Sequence, residues 1–230
     1  ETKEPDAVSL YMLPGTSDSE IEDSMARIKV QPLPRELNGM VAGSKNGAIL
    51  FWGRGRKCLV FPPFPLRERS LFAGYDGESL RGLLETDFRI GLVLVHLGSY
   101  AIGICQGEKL ISSKVGTGLI HGRHKKGGSS QQRFQRRRQN QANEFLDRVC
   151  LHAREQIEPR IKDLDYIVYG GPHHTVLQLQ KRCSFLQFPG GRSLPLMDVP
   201  SLRRKVLETA VSRIWSSRII EWQSDEVVVC

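Results

Sequence analysis

The chain has 230 residues, 40% of them hydrophobic and 25% charged, and 33 Lys and Arg against 25 Asp and Glu give a net charge of +8. This composition is typical of a globular protein with a core and argues against wholesale disorder. No apolar run approaches the ~18 residues of a membrane span, and the N-terminus lacks a signal-peptide pattern. The five scattered cysteines contain no CxxC pair, so we expect no zinc site, no disulfide framework and a reducing, cytoplasmic environment.

Residues 1–84 are predicted to form a small α+β N-terminal unit. Short apolar, β-rich runs punctuated by Gly and Pro indicate strands, and apolar residues at helical spacing after Asp18 or Ser19, either of which can cap a helix, indicate one helix. The predicted elements are a strand at 8–13, a helix at 18–29 ended by prolines, and a hairpin of strands at 47–53 and 57–61. Nothing in this unit indicates chemistry.

Residues 85–230 are predicted to form a second, mixed α/β domain. Its first strand, 90–97, is apolar enough to be buried on both faces, and two short turns make the next two strands a meander with it. The predicted strands are 90–97, 100–105, 109–115 and 165–169. The predicted helices are 131 or 132 to 158, 175–181 and 202–220.

A strongly basic stretch, residues 121–141, follows the meander; it has the sequence HGRHKKGGSSQQRFQRRRQNQ, carries the predicted GG-Q loop and runs into the first of these helices. Nothing from Lys109 through Asn143 is acidic, and nine Lys or Arg residues fall in that range. Such a patch favours a nucleic acid or an anionic membrane over a small acidic substrate. Arg136, Arg137 and Arg138 cover roughly 200° of arc at ~100° per residue, so we expect them on the outer face of the helix.

Several other kinds of site lack a required partner. Cys105 fits the G-x-C-x-G pattern of a nucleophile elbow, but an elbow needs a following helix and a strand follows here. The histidines at 121, 124, 173 and 174 have no carboxylate or cysteine nearby in sequence to complete a metal site. A phosphate loop lacks the GxxxxGK[ST] spacing, and a nuclease lacks the carboxylates that hold its metal ions.

The setting of Gly127 and Gly128, between a strand meander and a basic helix, resembles the central domain of eukaryotic- and archaeal-type peptide-chain release factors. More closely, GGSSQQRFQRRRQNQ resembles the bacterial Vms-like release factor clade, which are peptidyl-tRNA hydrolases of ribosome rescue and quality control. The resemblance covers roughly residues 89–195 and is sharp over 116–143. Two serines separate the glycines from the glutamine, which departs from the Gly-Gly-Gln tripeptide but fits the looser pattern of the clade.

The resemblance implies a ribonuclease H-like mixed sheet with flanking helices and a codon-independent peptidyl-tRNA hydrolase that needs no cofactor and no metal. Codon independence follows because the stop-codon-reading domain of the family has no evident counterpart in the short N-terminal unit. The implied partners are the peptidyl transferase centre of the large ribosomal subunit, ribosomal RNA and peptidyl-tRNA. The resemblance also implies that the protein is a cytoplasmic monomer and that it does not bind a membrane. A non-catalytic ribosome- or RNA-binding factor remains the alternative.

The site residues that the resemblance implies fall into a reactive tip and its cationic flanks. Gln131 matches the catalytic glutamine, with Gln132 as the neighbour that stays open. The remaining tip residues are Gly127, Gly128, Ser129 and Ser130. The RNA-binding residues are Arg123, Lys125, Lys126, Arg133, Arg136, Arg137 and Arg138.

Overall fold

The computed structural model describes residues 6–120, 130–188, 192–199, 202, 205–223 and 226–229. The chain divides into two compact units. Unit 1 consists of Glu1–Thr86 and Ile214–Cys230, and unit 2 is Asp87–Arg213. The chain therefore leaves unit 1 once and returns to it after unit 2.

The elements are numbered along the chain. The strands are β1 (Val8–Met12), β2 (Ala48–Trp52), β3 (Lys57–Phe61), β4 (Ser70–Ala73), β5 (Arg89–His96), β6 (Ser99–Gln106), β7 (Lys109–Thr117), β8 (Tyr166–Gly170), β9 (Arg218–Gln223) and β10 (Glu226–Val229). The helices are α1 (Asp18–Arg27), α2 (Arg35–Ala42), α3 (Glu78–Glu85), α4 (Ser130–Ile157), α5 (His173–Arg182) and α6 (Val206–Ile214).

Unit 1 is built on an antiparallel sheet in the order β10-β9-β3-β2-β1-β4. Because successive side chains of a strand point to opposite faces, each strand contributes to two cores. Leu10 and Met12 of β1 pack with the buried side of α1 and α2. Tyr11, between them, packs on the other face, where α3 lies. Helices thus cover both faces of this sheet.

The sequence predicted the first strand, the first helix and the hairpin of unit 1 but missed α2, β4 and α3. The cap of α1 is Ser17 rather than Asp18 or Ser19, and it forms a capping box with Glu20. Pro34, interpreted as part of a helix stop, is the N-cap of α2. Since proline is tolerated at the start of a helix, two prolines can end one helix and begin the next.

Unit 2 contains a four-stranded sheet in the order β7-β6-β5-β8. β5, β6 and β7 are successive antiparallel neighbours, as the meander predicted, and β8 pairs with β5 in parallel. The six central residues of β5 are buried, which confirms the strand buried on both faces. The prediction of a mixed sheet with flanking helices is confirmed.

Helices lie on both faces of this sheet. Phe145 and Val149 of α4 and Leu179 of α5 share one core with alternate residues of β5, β6 and β8. On the opposite face, a Cβ built on Gly103 of β6 would lie 3.5 Å from Leu207 of α6. The long helix predicted from the spacing of apolar residues corresponds to α4 within two residues at each end.

The C-terminal part of the second predicted domain differs from the prediction. The predicted helix 202–220 ends at Ile214, and the chain then forms β9. β9 pairs with β3 in antiparallel register, with Leu59 opposite Ile220. The segment from Ile214 onward therefore completes the sheet of unit 1, so residues 85–230 do not form one domain.

The scattered cysteines indicated no disulfide framework, but one pair of them is bonded. Cys150 of α4 and Cys183, which follows α5, form a disulfide with their Cα atoms 5.7 Å apart. This separation lies within the usual range for disulfides. Cys183 belongs to the buried core of unit 2 and the partly buried Cys150 packs against it, so the bond joins segments that already pack together.

Candidate RNA-contact surface on helix α4

Two glycines, one in β7 and one just after it, lie directly against aromatic rings of the core. A Cβ at Gly116 would lie 2.4 Å from the Tyr100 hydroxyl, and a Cβ at Gly118 would lie 2.5 Å from Phe145 Cδ2. Because real side chains do not reach such distances, only glycine lets the backbone run this close. The Gly118 N–H also donates to the Gly98 carbonyl at 2.8 Å. The chain that leads from β7 toward the basic stretch is therefore fixed to the core at Gly118.

Tyr100 is the centre of this attachment. Its ring stacks on His152 of α4, with centroids 5.5 Å apart, and lies 6.2 Å from the ring of Phe145. Burial raises the pKa of the Tyr100 hydroxyl above its ordinary value, so the hydroxyl stays protonated at neutral pH. An aromatic pair and a histidine thus join the end of β7 to the middle of α4.

The N-terminal part of α4 extends beyond the core. A helix of 28 residues is roughly 42 Å long. Its buried stripe begins only at Ala142 and continues through Phe145, Val149 and Ala153. From Gln132 to Asn140, about 14 Å of helix, every side chain except that of Arg138 is exposed, including 55% of Phe134. A helix that is polar almost all round obtains little stability from the core and is suited to an external partner.

The charge on this exposed part is entirely positive. Arg133, Arg136 and Arg137 are exposed, and no acidic residue stands before Glu144 on the helix. The first turn of α4 contains no acidic side chain, so nothing on it offsets the positive end of the helix dipole. This surface, Gln132–Asn140, is called the arm below.

Arg138 differs from its neighbours. Its side chain is half-buried and its Nε is buried without a hydrogen-bond partner among the described residues. Arg138 stands four residues before Ala142 and seven before Phe145, so it continues the stripe that faces the core. The prediction that all three arginines lie on the outer face is wrong for Arg138, because an arc of 200° reaches the edge of that stripe.

A polar junction holds the arm where it meets the core. Asn143 Oδ1 accepts from Gln139 Nε2 at 3.2 Å and from Arg182 Nη2 at 2.6 Å. Arg182 Nε also lies 3.2 Å from Asp147 Oδ1. Arg182 of α5 thus connects to two residues of α4 one turn apart. Sequence reasoning missed this junction, because nothing in the local pattern pairs position 182 with 143.

The structure describes only some of the predicted site residues. Arg123, Lys125, Lys126, Gly127, Gly128 and Ser129 lie outside the described residues. Ser130 and Gln131 are the first two residues of α4, and Gln132 is exposed beside them. Successive positions of an α-helix, such as 131 and 132, are separated by about 100° around its axis.

Cys105 is unsuited to nucleophilic catalysis. It is buried in β6, its Sγ lies 3.7 Å from the Ile90 carbonyl oxygen, and β7 follows the turn. Burial raises the pKa of its thiol to about 11. Since the thiolate is the nucleophile, such a thiol is almost entirely unreactive at neutral pH.

The described residues show neither a metal-binding cluster nor a helix that could span a membrane. They contain no group of three or more His, Cys, Asp and Glu side chains placed to hold a metal ion. His173 and His174 are both exposed, in the first turn of α5. No described helix combines the length and the apolar character that a bilayer span requires.

Comparison with known proteins gives consistent matches. A family model described as Actinobacteria/chloroflexi VLRF1 release factor matches residues 88–220. Peptide chain release factor subunit 1 of Methanopyrus kandleri is 34% identical over 120 residues, 51% of this chain and 29% of that protein. The same factor of Methanosphaera stadtmanae is 34% identical over 163 residues, 68% of this chain and 39% of that protein. The chain thus spans less than half the length of these relatives.

Two solved structures are also similar. The crystal structure of the archaeal translation termination factor aRF1 aligns with 92% of this chain and 67% of that chain, at 16% identity and a TM-score of 0.39. Archaeoglobus fulgidus Pelota aligns with 92% of this chain and 58% of that chain, at 12% identity and a TM-score of 0.29.

The family match covers the mixed sheet of unit 2, the whole of α4 and α6. Because this match covers more than half of the chain, the chain belongs to the release factor class. Within that class, the chain belongs to the Actinobacteria/chloroflexi VLRF1 release factor family.

Proposed function

We propose that this protein is a codon-independent peptidyl-tRNA hydrolase that frees nascent peptides from stalled ribosomes or from large subunits. The observation that carries the proposal is the arm, an exposed helical segment without a carboxylate that follows the Gly127-Gly128 sequence. This segment lies inside the region that matches the release factor family. The relatives are named for peptide-chain release and translation termination, which supports a ribosomal substrate.

Binding is the task of the cations. Arg133, Arg136 and Arg137 point outward from a helix held at its base by Asn143 and Arg182, so they can meet phosphates without further ordering of the helix. Each phosphate that is neutralised releases counterions, which makes the interaction sensitive to salt. Phosphate contacts of this kind fix register and orientation and carry no sequence information. This is consistent with a site in ribosomal RNA that needs no codon.

The chemistry requires a positioned water rather than a strong base. Water attacks the ester carbonyl carbon, the carbonyl oxygen becomes an oxyanion, and the terminal ribose hydroxyl of the tRNA leaves with a proton that comes from the water. Products are a peptide carboxylic acid and free tRNA. Gln131 is assigned to orient the water through its side-chain amide, which does not titrate at cellular pH. Backbone N–H groups are assigned to the oxyanion, as in other acyl transfers.

The glycines and serines serve this geometry. Gly127 and Gly128 lack Cβ atoms, so the backbone can approach RNA closely and adopt positive φ. Ser129 and Ser130 are small and uncharged, which avoids the cost of desolvating a charge in a confined site. We expect the protein to act in the cytoplasm as a monomer and without a cofactor.

The test compares Gln131→Ala with Gln132→Ala in a release assay on ribosomal particles that carry labelled peptidyl-tRNA. We expect Gln131→Ala to lower the release rate about 100-fold or more, since losing one positioning or oxyanion contact costs about that much. Binding to the particles, measured by co-sedimentation, should not change. Gln132→Ala is the matched control, because position 132 is about 100° from position 131 around the helix axis. This variant should release peptide at close to the normal rate.

Other outcomes are equally informative. Release by wild type that is no faster than release without the protein, with binding retained, would establish a non-catalytic ribosome- or RNA-binding factor instead. Equal release by wild type and both glutamine variants, faster than without the protein, would remove both glutamines from the chemistry. A loss confined to Gln132→Ala would move the working glutamine by one position. Replacing Arg133, Arg136 and Arg137 together by Gln should weaken binding to the particles and reduce its dependence on salt.

A further inference from the structure

Unit 1 carries an open groove that takes no part in the proposed hydrolysis. It has a volume of about 640 Å³ and lies between the start of β1, the end of α1 and the β2–β3 hairpin. Ligand-binding clefts range from roughly 300 to 1,000 Å³, so the groove is large enough for a nucleotide unit. Its lining includes Lys29, Trp52, Arg54 and Lys57 as well as several aliphatic side chains.

The charge of the groove is positive. Lys29, Arg54 and Lys57 line it, and of the carboxylates in the described part of the chain only that of Asp6 does so. Asp6 pairs with Arg54, so these two charges largely offset each other. Among the described residues, neither Lys29 nor Lys57 makes an ion pair with a carboxylate. Two lysines therefore leave a net positive field in a concave surface, which attracts an anion.

Lys29 stands in a backbone conformation that favours glycine. Its φ is 56°, and no other non-glycine residue in the described part of the chain has a positive φ. Lys29 follows α1, where its N–H donates to the Ala26 carbonyl at 3.1 Å. Helices commonly end with glycine in this left-handed conformation, because any Cβ there is crowded. A strained residue that lines a groove indicates that its side chain has a use.

Trp52 supplies an aromatic surface beside these lysines. It is half-buried, and its ring meets the edge of the Trp222 ring at a centroid distance of 6.1 Å. Lys57 Nζ lies 4.6 Å from the centroid of the Trp52 ring. Cations next to a tryptophan are the combination with which proteins bind single-stranded nucleic acid, through phosphates and base stacking together.

We propose that this groove binds single-stranded RNA, with a phosphate at Lys29 and Lys57 and a base against Trp52. An acidic peptide would satisfy the two lysines, but it would leave the tryptophan and the aliphatic lining without a complementary group. A nucleotide satisfies both sets, because its phosphate and its base are joined through one ribose. The groove belongs wholly to unit 1, so the proposal stands or fails independently of Gln131.

The experiment uses the full chain with Arg133, Arg136 and Arg137 replaced by Gln, which removes the cations of the arm. Fluorescence anisotropy then measures binding of a labelled octamer of uridine and of a poly-glutamate peptide. The variants are Lys29→Gly, Lys57→Ala and their combination. Lys45→Ala is the matched control, an exposed lysine of the same unit that does not line the groove.

Lys29→Gly is a sharp test because it removes the cation and relieves the strained backbone at once. The slope of log affinity against log salt is about 0.7 per phosphate contact for single strands, so losing one contact lowers affinity about fivefold at 0.1 M salt. Loss of both lysines should lower it about 25-fold. The melting temperature of Lys29→Gly should not fall, which excludes unfolding as the cause. Photo-cross-links from 4-thiouridine RNA should map to the peptide that contains Trp52.

Three results would overturn the proposal. The first is a loss of affinity in Lys45→Ala equal to that in Lys29→Gly, which would indicate only the general charge of the chain. The second is tighter binding of poly-glutamate than of the uridine octamer, with the lysine variants lowering the affinity for poly-glutamate and not that for uridine. The third is uridine binding that none of the groove variants changes.

Discussion

Replacing Gly118 with alanine is expected to destabilise unit 2 through one contact. The new methyl group would lie 2.5 Å from Phe145 Cδ2 and 3.1 Å from Arg148 Nη2. Arg148 can swing away at little cost, since the atom in question is the end of a flexible side chain. Phe145 cannot, because its ring is only 1% exposed and packs against Tyr100. The backbone at Gly118 or the core around the ring has to move.

The magnitude follows from the cost of overpacking. Inserting a methyl group into a filled core typically costs about 1–3 kcal/mol. For a chain of this size that lowers the melting temperature by about 2–12 °C, at roughly 2–4 °C per kcal/mol. Gly118 has no positive φ, so the cost is steric. The free-energy cost of Gly118→Ala should therefore depend on the size of the side chain at position 145.

The assay is calorimetry or urea unfolding of four proteins: wild type, Gly118→Ala, Phe145→Leu and the double variant. We expect the double variant to be more stable than the sum of the single effects by at least about 0.5 kcal/mol, because leucine leaves room for the methyl group. Gly82→Ala is the control: nothing lies within 4 Å of a Cβ there, and alanine in a helix should add about 0.5–1 kcal/mol. A Gly118→Ala variant as stable as wild type, or strictly additive effects, would refute the contact.

Three further predictions concern single side chains. The Cys105 thiol, with its pKa of about 11, should react with a thiol reagent at pH 8 at least ~100-fold more slowly than in the urea-unfolded chain, and Cys105→Ser should leave peptide release unchanged. Burial raises the pKa of Tyr169 to about 12 from 10.0, so its contribution to stability is full below pH 10 and is lost as pH rises toward 12. The difference in unfolding free energy between wild type and Tyr169→Phe should accordingly be smaller at pH 11 than at pH 9, and an unchanged difference would contradict the shift. Lys29→Gly should raise the unfolding free energy by about 0.5–1 kcal/mol, because relief of the left-handed strain outweighs the greater freedom of glycine in the unfolded chain; a loss of stability would show that φ at Lys29 is not strained.

Local patterns predicted the parts of the fold that local sequence determines. The run of apolar residues in β5, the turns at Gly98 and Gly107, and the helical spacing of Phe145, Val149 and Ala153 led to the meander and to α4. The same patterns failed where two elements follow one another without a clear break. The apolar spacing that predicts α6 continues into the residues of β9, so one helix was predicted where a helix and a strand occur. The pairing of β9 with β3 depends on residues far away in sequence and leaves no local signal.

The positive charge of the candidate surface could be predicted from the sequence, but the three-dimensional arrangement of its side chains could not. The absence of acidic residues between Lys109 and Asn143 is visible in the sequence. That the core ends at Ala142, so that the helix before it extends outward, depends on where the sheet ends. The inward position of Arg138 and the junction of Asn143 with Arg182 depend on how α4 packs against α5. These features require the tertiary structure, because sequence spacing alone does not say which face of a helix meets a partner.

The return of the chain to unit 1 has a consequence for how the protein forms during its own synthesis. β9 lies next to β3 in the sheet, yet Phe61 and its partner Arg218 are about 160 residues apart. At about 5–20 residues per second, β3 waits roughly 8–30 s after emerging before its neighbour can be made. Unit 2 is contiguous and can fold during that interval. The nascent chain therefore presents an open strand edge for longer than most small domains do. Its protection from aggregation depends on what covers β3 until β9 has been made.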